Sequence, residues 1–157
     1  MADATIDRLS PTDVDTASHL YNQIFRPNRD AEWIRRRIEG RRNVLIQVAR
    51  INHDAMGFYI GFEHKPDTLF TWLVGVMPDA RRSGIATQLM HAAEEFARTE
   101  GYKYMRFECD NRIRPFLHFG IANGYDIAGI RWDSERLSNL VIFERQILEQ
   151  HRNDAED

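Results

Sequence analysis

The chain has a single cysteine, Cys109, only two lysines, Lys65 and Lys103, and no long apolar run. One thiol excludes an intrachain disulfide and argues against a cysteine-based metal site. The six histidines fall at no H-x-H or H-E-x-x-H spacing, so no metal is expected. No stretch approaches the roughly 20 apolar residues of a membrane span. Met1 to Ser10 carries acids where a signal peptide has an apolar core, so the expected location is cytoplasmic, away from membranes. Internal repeats and low-complexity segments are also lacking. What is present is ordinary for a globular protein: 157 residues, 43% apolar and 29% charged. A chain of this size buries roughly 68–70% of its unfolded surface and folds on its core alone. One domain over residues 1–150 is expected, with residues 151–157 a disordered acidic tail.

Net charge is −3, yet between Arg26 and Arg50 eight arginines face three acids, a local excess of +5. The basic group Arg35-Arg36-Arg37 with Arg41-Arg42 has three readings. A solvated helix face comes first, then a site for an acidic acceptor or a phosphate. Nucleic-acid binding comes last, because net charge is negative and aromatic interleaving is weak.

Hydrophobic spacing divides the chain. Thr5 to Leu9 alternates like a strand. Ser10-Pro11 resembles a helix start, followed by apolar positions at helical spacing up to Phe25. A basic helix over Asp30 to Glu39 buries Trp33, Ile34 and Ile38. Three β-prone runs, Asn43–Ile51, Ala55–His64 and Thr68–Met77, are joined by short turns and predict an antiparallel meander. A helix follows to Gly101, then a strand over Lys103–Asp110, a helix over Ile113–Asn123, and two strands over Asp126–Trp132 and Leu140–Ile147. The order predicts an α/β mixed sheet with helices on its faces.

The junction Val74-Gly75-Val76-Met77-Pro78-Asp79-Ala80-Arg81-Arg82-Ser83-Gly84-Ile85-Ala86 carries the chemistry. An apolar strand ends at a proline, and a short basic turn opens directly into a helix. The first four N–H groups of a helix lack intrahelical partners, and the macrodipole places about half a positive charge there. Gly84 and Ala86 permit close approach of a ligand to the backbone. This is equipment for gripping a diphosphate. The P-loop pattern is absent, and Gly120, Gly124 and Gly129 have the wrong spacing for G-x-G-x-x-G.

The residues Val76-x-Pro78-x-x-Arg81-x-x-Gly84-x-Ala86 match V-x-P-x-x-[RQ]-x-x-G-x-[GA], and in this the sequence resembles the GNAT superfamily of acetyl-CoA-dependent N-acetyltransferases. The resemblance extends to the order of elements over nearly the full chain. It implies a mostly antiparallel sheet of about seven strands, splayed between the fourth and fifth, with helices on both faces. It implies that the amides of Arg82, Ser83, Gly84, Ile85 and Ala86 hold the CoA diphosphate, with Arg81 orienting the loop or its ligand. Backbone groups of Val74 and Val76 would pair with the pantetheine arm, a bulge at Gly75 would open the strand, and the Val76 N–H would hold the oxyanion. Dimers through the late strands are common in this fold, so a homodimer is among the expectations.

The family's later segment, N-x-x-A-x-x-L-Y-x-x-x-G-[FY], is matched only at Gly124-Tyr125. The tyrosine position, a usual general acid, is Gly120, and the asparagine place is Ile113, with Asn111 two residues earlier as the candidate near CoA. His118 is the candidate substitute acid, against the plainer reading of a surface histidine. An alkyl thiol has a pKa near 8.5, so a thiolate departs without full protonation. The base is the harder need. At pH 7 only about one lysine-like amine in a few thousand is neutral, an unfavourable pre-equilibrium of roughly 4–5 kcal/mol. Thr68 to Val76 contains no acid, so Glu108 is the first candidate base, with Asp110 and Glu63 behind it. Its plainer reading is a strand carboxylate paired with Arg106 or another arginine. Cys109 alternates with Phe107 and Met105 and reads as a core thiol, with an acetyl-cysteine route the sharper alternative. Trp33 and Trp72 read as core. Trp132 is either core or a substrate contact beside Asp133–Arg136.

The expected function is acetyl transfer from acetyl-CoA to a small-molecule or peptide amine, by direct attack in a ternary complex. The alternative is a CoA-binding regulatory module with weak or lost catalysis.

Overall fold

The computed structural model describes residues 3–148. The tail expected to be disordered lies outside the described residues. Seven strands and four helices follow in the order β1 (Thr5–Leu9), α1 (Val14–Ile24), α2 (Ala31–Ile38), β2 (Leu45–Ile51), β3 (Asp54–Lys65), β4 (Thr68–Val76), α3 (Ile85–Thr99), β5 (Tyr104–Asp110), α4 (Arg114–Ala122), β6 (Asp126–Asp133) and β7 (Ser138–Gln146). They build one mixed sheet, ordered β1-β2-β3-β4-β5-β7-β6. Every pairing is antiparallel except β4 with β5.

Local chemistry explains most boundaries. Asp30 caps α2 by accepting the Trp33 N–H at 2.9 Å. Asn52 and His53, both at positive φ, form the turn that joins β2 to β3. The first helix departs from expectation. Ser10-Pro11 does not begin it. Those residues form a turn in which the Asp13 N–H donates to the Ser10 carbonyl at 2.9 Å, and α1 starts at Val14. The Ser10 hydroxyl is engaged with Thr12 and so does not cap the helix.

The helices cover the sheet on both faces. On one, α1 and α2 pack Val14, Leu20, Ile34 and Ile38 against Ile46, Val48, Phe58 and Ile60. On the other, α3 packs Ile85, Leu89 and Ala93 against Leu45, Ala49 and Tyr59. That second core continues under α4 as an aromatic cluster, where Phe107 and Phe143 stack at 4.9 Å and Tyr125 meets Phe107 edge-on. Glu94 of α3 is buried and accepts from Tyr125 Oη and from Arg145 of β7, both at 3.1 Å. It braces the helix to the far half of the sheet.

The halves are joined sparingly. β4 pairs with β5 only from Thr68 to Thr71, opposite Tyr104 to Phe107, and the strands then part. On its other side β4 carries a bulge at this point: Thr71 lies opposite Gly61 and Leu73 opposite Ile60, which leaves Trp72 unmatched. The bulge expected at Gly75 is therefore at Trp72. Gly75 sits in regular register opposite Phe58. Its glycine has a packing reason, because a Cβ there would lie 2.8 Å from Phe25 and 2.9 Å from Phe58.

Candidate active site

Where β4 and β5 part, the free edge of β4 faces an opening. Its hydrogen-bonding direction follows from the ladder. The Met77 N–H donates to the Met56 carbonyl at 2.8 Å, and opposed residues alternate between bonded and non-bonded pairs. Val76, opposite Gly57, and Val74, opposite Tyr59, are then the non-bonded positions, with N–H and C=O directed away from β3. Arg81 caps one of these groups, its Nε donating to the Val76 carbonyl at 3.3 Å. The Val74 groups and the Val76 N–H are left facing the gap.

The turn after Pro78 leads from this edge to α3. Pro78–Ala80 form one 3-10 turn, closed by the Ala80 N–H on the Met77 carbonyl. The Ser83 hydroxyl folds back on the Ala80 carbonyl. Arg82 and Gly84 both have positive φ, 65° and 84°. Gly84 is the N-cap residue and brings no side chain over the helix end. From Arg82 to Thr87 the backbone N–H groups meet no acceptor among the described residues; the first helical bond is Gln88 N–H to the Gly84 carbonyl at 3.0 Å. Such successive free amides form an anion-binding concavity. Arg81 and Arg82 are exposed beside it. The sequence-predicted loop residues thus follow the Val74 and Val76 edge through a single turn, whose own Met77, Ala80 and Arg81 N–H groups are bonded, and expose a second set of free amides from Arg82 to Thr87.

Across the opening, β5 presents Glu108 on the face opposite α3. Arg131 of β6 donates to Glu108 Oε2 at 2.7 Å, and the carboxylate is 19% exposed. Glu108 Oε1 accepts no hydrogen bond among the described residues. The expected partner Arg106 pairs instead with Glu144, at 3.5 Å. Trp72, the bulge residue, is half-buried at the fork with Arg37 of α2 over its ring at 5.6 Å.

The other candidates are differently engaged. Asp110 is buried and receives three hydrogen bonds from Arg112 and one from Ser138. The Arg112 hydrogen bonds hold its pKa far below the usual carboxylate range, so it is a poor base. Glu63 accepts from Tyr102 Oη at 3.0 Å. Asn111 is exposed just after β5, its N–H on the Asn139 carbonyl. His118 is exposed on α4, about 200° around the helix from Gly120. Gly120 itself faces Phe143, and a Cβ there would lie 2.7 Å from that ring. No tyrosine fits in that place while Phe107 and Phe143 stack. Cys109 is buried and its thiol is pushed up to about 11, by burial first and Asp110 second, which leaves it protonated. Trp33 is half-buried, and Trp132 is 57% exposed on the face of β6 opposite Arg131.

Arg131 is not singled out by sequence, since its neighbours here come from other elements; Arg37 is read there only within the basic group, as a solvated face first and a site for an acidic acceptor or a phosphate second. Among the described residues no three His, Cys, Asp or Glu side chains are grouped to hold a metal ion, and no helix is long and apolar enough to cross a membrane.

Among curated proteins none matches the sequence. The fold is shared with solved acetyltransferases. The ribosomal-protein-S18-alanine N-acetyltransferase of Escherichia coli superposes with a TM-score of 0.82 at 18% identity, over 96% of this chain and 98% of that one. A GNAT family acetyltransferase from Elizabethkingia anophelis with acetyl-CoA bound gives 0.78 at 15% identity, over 93% and 99%. Ard1 from Thermoplasma volcanium gives 0.77 at 20% identity, over 93% and 99%. The model of the acetyltransferase (GNAT) family matches residues 14–120, more than half of the sequence. Motif, splayed sheet and family match agree, and the chain belongs to the GNAT acetyltransferase family.

Proposed function

We propose that this protein is an N-acetyltransferase that moves an acetyl group from acetyl-CoA to a primary amine by direct attack in a ternary complex. The observation that carries this reading is the two sets of free backbone groups at the ends of one turn, the Val74 groups and Val76 N–H before it and the amides of residues 82–87 after it. These residues fit the coenzyme: a strand edge for the pantetheine arm and a concavity for the diphosphate. Bound there, acetyl-CoA supplies an activated thioester carbonyl. Arg81 holds the loop through the Val76 carbonyl. The Val76 N–H faces the gap, where a developing oxyanion would need a donor. Glu108 accepts the amine proton through its free Oε1, directly or by one water. No side-chain acid is required at Gly120, because the departing group is a thiolate.

Coenzyme binding is tested by thermal unfolding. Acetyl-CoA at about 100 times its Kd adds about 2.7 kcal/mol, or roughly 5–10 °C in Tm for a chain of this length. No shift at saturating coenzyme would remove the reading. Catalysis is tested by CoA release with an amine panel. The second reading, a CoA-binding regulatory module, is favoured by the Glu108–Arg131 ion pair and by Gly120. Tight binding with no CoA release from any amine would select it.

A further inference from the structure

On the face opposite α3, guanidinium groups that carboxylates do not balance run from the paired end of β4 and β5 to the mouth of the fork. Arg37 lies over Trp72, and Arg41 lies over Phe62 at 4.8 Å. Neither has an ion pair among the described residues. Arg106 sits at the last paired rungs of β5, opposite Phe70. Glu144 takes its terminal nitrogen at 3.5 Å, but its Nε is buried without a hydrogen-bond partner. Closed to solvent, that nitrogen offers a ligand charge rather than a hydrogen bond, and the positive charge of Arg106 is only partly offset by Glu144. Arg131 is already spent on Glu108.

The rings beneath these groups adjoin: Trp72, under Arg37, lies 6.3 Å from Phe62, under Arg41, and Phe62 lies 5.9 Å from Phe70, which is opposite Arg106. Burial lowers the pKa of Arg37, Arg41 lowers it next, and Glu108 and Arg131 are also felt. At neutral pH four arginines face Glu108 and Glu144. Such a site repels a simple alkylammonium, and the offset it needs is a negative group on the same molecule. Planar guanidinium groups suit a carboxylate in particular.

Resting on the transferase reading, we propose that the acceptor is an aminocarboxylate: its amine lies at Glu108 and its carboxylate is received by the exposed Arg37, with Arg106 adding its charge from beneath. Arg41 adds longer-range attraction. Atoms balance simply. The ammonium gives one proton to Glu108, the neutral nitrogen forms the C–N bond as the C–S bond breaks, and its second proton leaves to water or to the departing CoA thiolate.

The test compares glycine, β-alanine, 4-aminobutyrate and 5-aminovalerate, each with the alkylamine that lacks its carboxylate, by CoA release. At least one aminocarboxylate is expected to exceed its alkylamine by about tenfold in kcat/KM, mostly through KM. In Arg37→Gln, an exposed position, that ratio is expected to fall to near one. Alkylamines used as well as their aminocarboxylates, or a ratio unmoved by Arg37→Gln and Arg106→Gln alike, would overturn the proposal. Calorimetric titration of the same pairs into CoA-loaded protein separates the two ideas. Preferential binding of aminocarboxylates without turnover leaves the anion site standing and removes the transferase reading. Turnover of amines with no such preference does the reverse.

Discussion

The two sides of the fork are built from different materials. The β4–α3 side is made of main-chain groups: the Val74 and Val76 edge and the amides after Arg81. The β5 side is made of side chains, with Arg131 of β6 reaching Glu108 across the intervening β7 and Arg37 brought over Trp72 by a helix from the start of the chain. A main-chain site depends on conformation, so it needs small residues and a turn in a fixed order. A side-chain site depends on identity, and its members can be scattered through the sequence. The first construction suits a ligand shared by many proteins, the second a partner particular to one.

Substitutions can break this contrast. The largest effect is expected for Gly84→Glu. Its carboxylate would project over the free amides, and the left-handed conformation adds about 1–2 kcal/mol of strain. CoA affinity is expected to fall about 100-fold or more, close to the loss of one charge-assisted anchoring site, with the far-UV circular dichroism retained. Unchanged affinity in calorimetry would mean that the amides do not hold the diphosphate.

Next comes Glu108→Gln, expected to lower kcat by about 100-fold near pH 7 while sparing CoA affinity. The loss should shrink as pH rises toward the pKa of the amine, where the acceptor is neutral without help. A pH–rate profile parallel to that of the unmutated enzyme would remove Glu108 as base.

Asp110→Asn acts on stability. The carboxylate's pKa is lowered in the folded state by Arg112 and Ser138, so its contribution is present above the unfolded value near 3.9 and is lost as pH falls below that. The variant should lose about 2 kcal/mol at pH 7 and show a flatter fall of stability in acid. Urea titrations at pH 7 and pH 3 measure both; an equal loss at the two values would contradict the assignment. The smallest effect is expected for Cys109→Ala. Turnover should stay within about twofold, and thiol reagents should leave the native chain unmodified, because the buried thiol stays protonated.

The same contrast explains what the sequence disclosed. The loop was legible residue by residue, because Pro78, Arg81, Gly84 and Ala86 lie close together in the sequence and each has a local reason. Strand and helix positions were legible from periodicity. The start of α1 was not, since Ser10-Pro11 suits a turn as well as a cap. The bulge was misplaced at Gly75 because a glycine has two explanations, flexibility and lack of bulk, and only the positions of Phe25 and Phe58 decide between them. Glu108 was legible as a candidate, but its partner was not. Arg131 reaches it through the β5–β7–β6 register, which no local pattern encodes.

The meeting of β4 and β5 amounts to an axle at one end and an open jaw at the other. Only Thr68–Thr71 and Tyr104–Phe107 form the axle, and Glu94 clamps Arg145 and Tyr125 on the α3 side of the sheet. A wedge entering the jaw breaks no rung between these strands. Substrates can therefore be admitted and products expelled at no cost to the hydrogen bonds that join the two leaves.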